Sequence, residues 1–120
     1  MLYKEIEGTF YQLGTLGGGN HFIELQEDEN GFVGIMIHSG SRNFGYKVAQ
    51  YFNDKAIYHC KKHGDATSIK VQLPYLPDDS ESGQAYVRWM NLAMAFAREN
   101  RRQMLNTVQN ILSETLSGIT

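Results

Sequence analysis

The sequence predicts an α+β fold: a β-hairpin, as part of a small antiparallel sheet, followed by two helices of which the second is long. Three observations carry this. Two runs rich in β-formers flank Asp28-Glu29-Asn30-Gly31, a cluster of turn-forming residues. From Asn43 the apolar period becomes four, through Phe44, Val48, Phe52, Ala56 and Cys60. From Gln84 to about Leu116 a second stripe continues at helical spacing.

The elements follow in order. Residues 9–13, Thr-Phe-Tyr-Gln-Leu, are short, rich in β-formers and followed by glycines, which predicts a strand. Gly14 and Gly17-Gly18-Gly19 make a turn where the backbone can approach another group closely. Residues 21–26 and 32–38 are predicted to pair as antiparallel strands, with Asn30-Gly31 supplying positive φ. If Asn30 and Gly31 alone form the loop, His38 lies across from Ile23. If residues 28–31 form it, His21 faces His38 directly. Both registers put the two imidazoles on one face, ~5–8 Å apart at Cβ. A loop with an odd number of residues breaks that parity.

The helix over residues 43–63 can be capped by Ser41 or Asn43 and ended by Gly64, with Lys61-Lys62-His63 suited to its last turn. Residues 64–82 hold both prolines and a polar, acidic tail, and are predicted to be a long loop of the kind that often serves function. The second helix covers residues 83–116. Tyr86, Trp89, Met90, Ala93, Phe96, Ala97, Met104, Leu105, Val108, Ile111 and Leu112 mark its buried side, and Arg98, Glu99, Arg101 and Arg102 its exposed patch.

At 120 residues the chain holds at most one domain, here read as a single unit over residues 1–120. A net charge of -2 argues against a generally basic nucleic-acid binder, while leaving room for a local phosphate site. No apolar run approaches the ~20 residues of a membrane span. The first residues show no signal peptide, and the single cysteine, Cys60, suits a reducing compartment. A cytoplasmic protein without a membrane partner is expected.

Two segments can carry chemistry. In Gly17-Gly18-Gly19-Asn20-His21-Phe22-Ile23-Glu24 the glycines precede a strand rather than a helix, so this is not a dinucleotide fingerprint. Asn20 offers an amide, and His21 a neutral nitrogen for a metal or a purely structural imidazole. Glu24 falls on the face opposite His21. In His38-Ser39-Gly40-Ser41-Arg42 a strand ends and a helix begins, where free amides favour anions. Ser39 and Ser41 add hydroxyls and Arg42 a planar fork suited to phosphate; the plainer reading is a Ser41 cap beside a solvated Arg42. His59, Cys60 and His63 read as a buried thiol and a solvated helix end, because Cys60 lies on the apolar stripe and Lys61 and Lys62 oppose a cation.

Together, the segment from Gly14 to Glu24, the His38-Ser39-Gly40-Ser41-Arg42-x-x-Gly45 motif and the stretch from Tyr86 to Arg102 resemble the RtcB-type RNA ligases. The resemblance covers roughly residues 9–105 and implies an enzyme that joins RNA 3′-phosphate or 2′,3′-cyclic phosphate ends to 5′-hydroxyl ends with GTP and manganese. It implies that His21 and His38 ligate manganese, that Asn20 to Glu24 (Asn20, His21, Phe22, Ile23, Glu24) line the guanylate pocket, and that Arg42, with Ser39 and Ser41, holds a phosphate. The family's Asp-x-x-Cys metal motif and its guanylylated histidine, in Ser-His-Gly-Ala-Gly-Arg, are not among these residues; Ile57 stands where an aspartate would precede Cys60. The chain is therefore expected to be a central fragment of the RtcB fold, inactive alone, with RNA as the partner of the whole enzyme and self-association of the fragment expected. The alternative is a non-enzymatic module that dimerises through its long helix and keeps a vestigial metal site.

Overall fold

The computed structural model describes residues 2–118. The first element is a helix, α1 (Leu2–Phe10), followed by strands β1 (Phe22–Glu27) and β2 (Val33–His38), then helices α2 (Asn43–Lys62), α3 (Ala66–Lys70) and α4 (Glu81–Ser117). The α+β class is as the sequence predicts. Helix α1 corrects the expected strand at residues 9–13. Thr9 and Phe10 belong to the last turn of a helix in which Leu2 and Thr9 are buried and Ile6 packs against the core. The Thr9 hydroxyl donates to the Glu5 carbonyl one turn back, a bond available only to helical backbone. Gln12 then turns, its N–H bonding Thr9 O at 3.0 Å. The β-forming residue types misled because the helical spacing of Leu2, Ile6 and Thr9 begins upstream of them.

The core forms where α1, α2 and α4 meet. Leu2, Phe44, Val48, Phe52 and Ala93 are buried there, with Tyr51, Tyr86 and Trp89 packed around them. Trp89 meets Tyr3 and Phe44 edge-on, with centroids 5.1 and 6.1 Å away, geometries that aromatic rings prefer. Every fourth residue of α2, from Phe44 to Cys60, is buried. The helix ends in a Schellman motif: Gly64, at φ 71°, donates to Lys61 O, and Asp65 donates to Cys60 O at 2.9 Å.

The expected loop over residues 64–82 contains α3. The Asp65 carboxylate caps it, accepting from Ser68 N at 3.0 Å and from the Ser68 hydroxyl at 2.7 Å. These bonds, the Ser68 N–H first, hold the Asp65 carboxyl below its ordinary value. A helix this short has no apolar period to read. Helix α4 starts at a Ser80 cap whose Oγ accepts from Gly83 N at 3.0 Å. Its burial stops at Met104: Ile111 is 56% exposed, so the expected buried side holds only for the first part of the helix.

The hairpin register differs from both predicted registers. Phe22 lies opposite His38 and Glu27 opposite Val33, with residues 28–32 between the strands. Gly31 takes φ 81° and its N–H bonds Asp28 O at 3.1 Å, while Asn30 keeps a negative φ. This is a type I turn followed by a left-handed glycine, rather than a primed turn on Asn30-Gly31, which needs positive φ at Asn30. Asp28 fixes it, its Oδ1 accepting from Asn30 N at 2.9 Å and Phe32 N at 2.8 Å. Those amides, Phe32 first, hold the Asp28 carboxyl below its ordinary value. The odd loop breaks the parity, so His38 shares its face with Phe22 and Glu24, not with His21.

Candidate metal and phosphate site

The site forms where the glycine-rich turn, the end of β2 and the middle of α4 meet. Asn100, on α4, is fully buried at its centre. Its Oδ1 accepts from Thr15 N at 3.1 Å, and its Nδ2 donates to Thr15 O at 3.1 Å and to Ser39 Oγ and Gly40 O, each at 3.2 Å. Thr15 N can only donate and the two carbonyls can only accept, so the amide has one possible orientation. One side chain thus ties the turn and the strand end to the helix. Arg101 adds a bond from its guanidinium to Ser39 O at 2.9 Å. Arg101 therefore faces inward, in contrast to its expected place in the exposed patch. Arg102 does lie outside, paired with Glu99 at 2.6 Å. Hydrogen bonds from Arg102, then from Gln103, hold the Glu99 carboxyl down at about 2.

His21 and His38 come together although the register separates them by face. Their ring centroids lie 6.3 Å apart. His21 sits just before β1, where its N–H bonds Gly19 O at 2.8 Å, and His38 is the last residue of β2. Proximity at the strand ends, not a shared pleat, pairs them. His21 Nδ1 lies 3.3 Å from Ser39 Oγ, and the Phe22 ring stacks on His38 at 5.2 Å with planes 9° apart. Two imidazoles so placed can ligate one cation or two neighbouring ones. Glu24 lies on the His38 face, two residues along β1 from Phe22, and accepts from Gln26 Nε2 at 2.9 Å. No group of three His, Cys, Asp or Glu side chains converges as a metal site among the described residues. The donors present fit part of a metal shell.

Arg42 precedes α2 at φ 55°, a backbone that costs a non-glycine residue about 1–3 kcal/mol. Its side chain is drawn over the glycine turn, donating through Nε to Thr15 Oγ1 at 3.1 Å and through one terminal nitrogen to Leu16 O at 3.4 Å. Gly17, at φ 97°, leaves the room: a Cβ there would collide with the guanidinium. Arg42 has no carboxylate partner among the described residues, which keeps its charge available to an anion. Arg42 itself occupies the cap position of α2 without a side-chain cap bond, in place of the expected Ser41 or Asn43, and the Ser41 hydroxyl accepts from the first-turn Gly45 N at 3.0 Å. Ser39 is buried, and its hydroxyl donates to Leu16 O at 2.8 Å. Asn20 and Ile23 are exposed beside the imidazoles.

Elsewhere, Cys60 is fully buried and His63 Nδ1 contacts the His59 carbonyl at 2.9 Å, as a thiol in the core and a helix end require. The sequence reading missed Asn100 and Thr15 as parts of the site. Asn100 did leave a signal: it continues the spacing of Ala93 and Met104 along the buried stripe of α4, where an amide needs partners.

The family described as tRNA-splicing ligase RtcB matches residues 2–119, and the chain belongs to that family. It is 37% identical over 104 residues to the RNA-splicing ligase RtcB of Escherichia coli strain K12, covering 87% of this chain and 25% of that protein. It is 34% identical over 122 residues to the tRNA-splicing ligase RtcB of Archaeoglobus fulgidus, covering 88% and 24% respectively. To the RNA-splicing ligase RtcB homolog 1 of Entamoeba histolytica it is 36% identical over 105 residues, 75% of this chain and 19% of that one. The chain thus spans about a quarter or less of the length of these curated relatives. No solved structure matches it.

Proposed function

We propose that this chain carries part of the active site of a cytoplasmic, GTP- and manganese-dependent RNA ligase. That enzyme joins RNA 3′-phosphate or 2′,3′-cyclic phosphate ends to 5′-hydroxyl ends. The single observation behind the reading is the pair of imidazoles, 6.3 Å apart beside a glycine turn, in a chain of this family. His21 and His38 would hold manganese, which when bound supplies a Lewis acid for phosphoryl oxygens. Asn20, Phe22, Ile23 and Glu24 would line the guanylate pocket next to them. Arg42, flanked by Ser41 and the Ser39 backbone, would take an RNA or nucleotide phosphate by giving up its bonds to the glycine turn. These 120 residues include no Ser-His-Gly-Ala-Gly-Arg histidine to accept the guanylate, so the chain is expected to seal no RNA by itself.

Manganese titration by calorimetry, with and without GTP, tests the reading on the wild-type chain and on the double variant His21→Ala, His38→Ala. Saturable binding that the double variant loses supports it. Binding that survives the double substitution, or none in the wild type, removes the metal assignment. Ligation of RNA by the purified chain would overturn the expected inactivity.

The exposed end of α4, with Ile111 at 56% and Leu116 at 64%, favours a second reading: a non-enzymatic module that pairs through this helix. A mass that rises with concentration, with no response of stability to manganese or GTP, would select it.

A further inference from the structure

The Ser39 hydroxyl sits among three groups, two of which have roles fixed by their chemistry. Leu16 O, at 2.8 Å, can only accept, so it takes the single hydroxyl proton. Asn100 Nδ2, at 3.2 Å, can only donate, and its orientation is set by its bonds to Thr15 N, Thr15 O and Gly40 O. The oxygen therefore has one lone pair left for His21 Nδ1, at 3.3 Å, and no proton to give it. A neutral imidazole meets that oxygen favourably only with its proton on Nδ1.

We propose that Ser39 is a positioning residue for His21: braced by Leu16 O and Asn100, it selects the Nδ1–H tautomer and leaves the Nε2 lone pair bare for a divalent cation. The bracing comes from α4, through Asn100 and through the Arg101 bond to Ser39 O, so the readiness of His21 to bind depends on a helix that does not reach the cation itself. Metal-binding histidines commonly have their ring orientation and tautomer fixed by such an outer hydrogen bond. The tautomer stands on the hydrogen bonds alone; its consequence for metal affinity rests on the proposed role of His21.

The test is nitrogen NMR of the His21 ring in the metal-free, 15N-labelled chain, at a pH where the imidazole is neutral, followed by manganese titration of the same samples. The wild type is expected to show a protonated Nδ1 and a bare Nε2. Ser39→Ala is expected to move the proton toward Nε2 and to weaken manganese binding about 10- to 100-fold. A wild-type ring protonated on Nε2 overturns the proposal without any variant, so a misfolded Ser39→Ala protein does not shield it. A folded Ser39→Ala protein with an unchanged tautomer also overturns it. A wild type with the expected tautomer but no manganese binding leaves Ser39 in its role and removes the functional reading of His21 instead.

Discussion

Phe52 on α2 is 4% exposed and Leu25 on β1 is 53% exposed, although each is an apolar side chain in the middle of an element the sequence marks clearly. The helical body closes on itself: α1, α2 and α4 bury one another's stripes. The hairpin does not. All six residues of β1 are exposed, and the ladder has only two strands. A two-stranded hairpin is marginal in water, so this one is held by its ends. Asn100, Arg101 and the Ser39 hydroxyl pin the strand end to α4, and Asp28 pins the turn. The lesson is that burial stabilises one region and specific hydrogen bonds the other, and the candidate site lies on the seam between them.

Substitutions can break that contrast, the largest effects coming first. Phe52→Ala removes a buried ring from the helical core and is expected to cost about 3–5 kcal/mol, read as a lower urea midpoint by circular dichroism. Asn100→Ala strands the Thr15 backbone and Gly40 O, and is expected to cost on the order of 3 kcal/mol. It should also speed hydrogen exchange at Thr15; unchanged exchange there would mean that the seam is held by something else. Leu25→Ala is expected to cost less than about 1 kcal/mol, because the side chain is half exposed already. A larger loss would show the hairpin to be buried in solution, as self-association would make it.

The smallest effect concerns pH. Glu99, a partly exposed residue of α4, has its carboxyl lowered from 4.5 to about 2 by Arg102 and Gln103. A lowered folded-state value stabilises above the unfolded value, and the contribution fades as pH falls from 4.5 toward 2. Arg102→Ala is expected to move the Glu99 carboxyl back toward 4.5 in a carbon NMR titration, with little change in the urea midpoint at neutral pH.

Much of the fold was legible in the residue pattern. The spacing of four from Phe44 to Cys60 gives α2 its buried face, and Asn30-Gly31 marks the hairpin turn. The strand expected at residues 9–13 was wrong because residue type outweighed the spacing of Leu2, Ile6 and Thr9. The register was wrong because one backbone angle, at Asn30, decides between turn types that the same dipeptide can serve. His21 and His38 do come close, but at the strand ends rather than on a shared face of the hairpin.

By itself the sequence determined the family, the two long helices, the hairpin and the histidines and arginine worth watching, because periodicity, turn chemistry and motif spacing are local properties of a chain. The tertiary structure alone decided the rest. It turned Arg101 inward, drew Arg42 over Gly17, and set Asn100 beneath Ser39, bringing α4 to the hairpin across a separation in sequence that no local pattern encodes. A hydrogen bond needs its partner at about 3 Å, and only the packed chain puts it there.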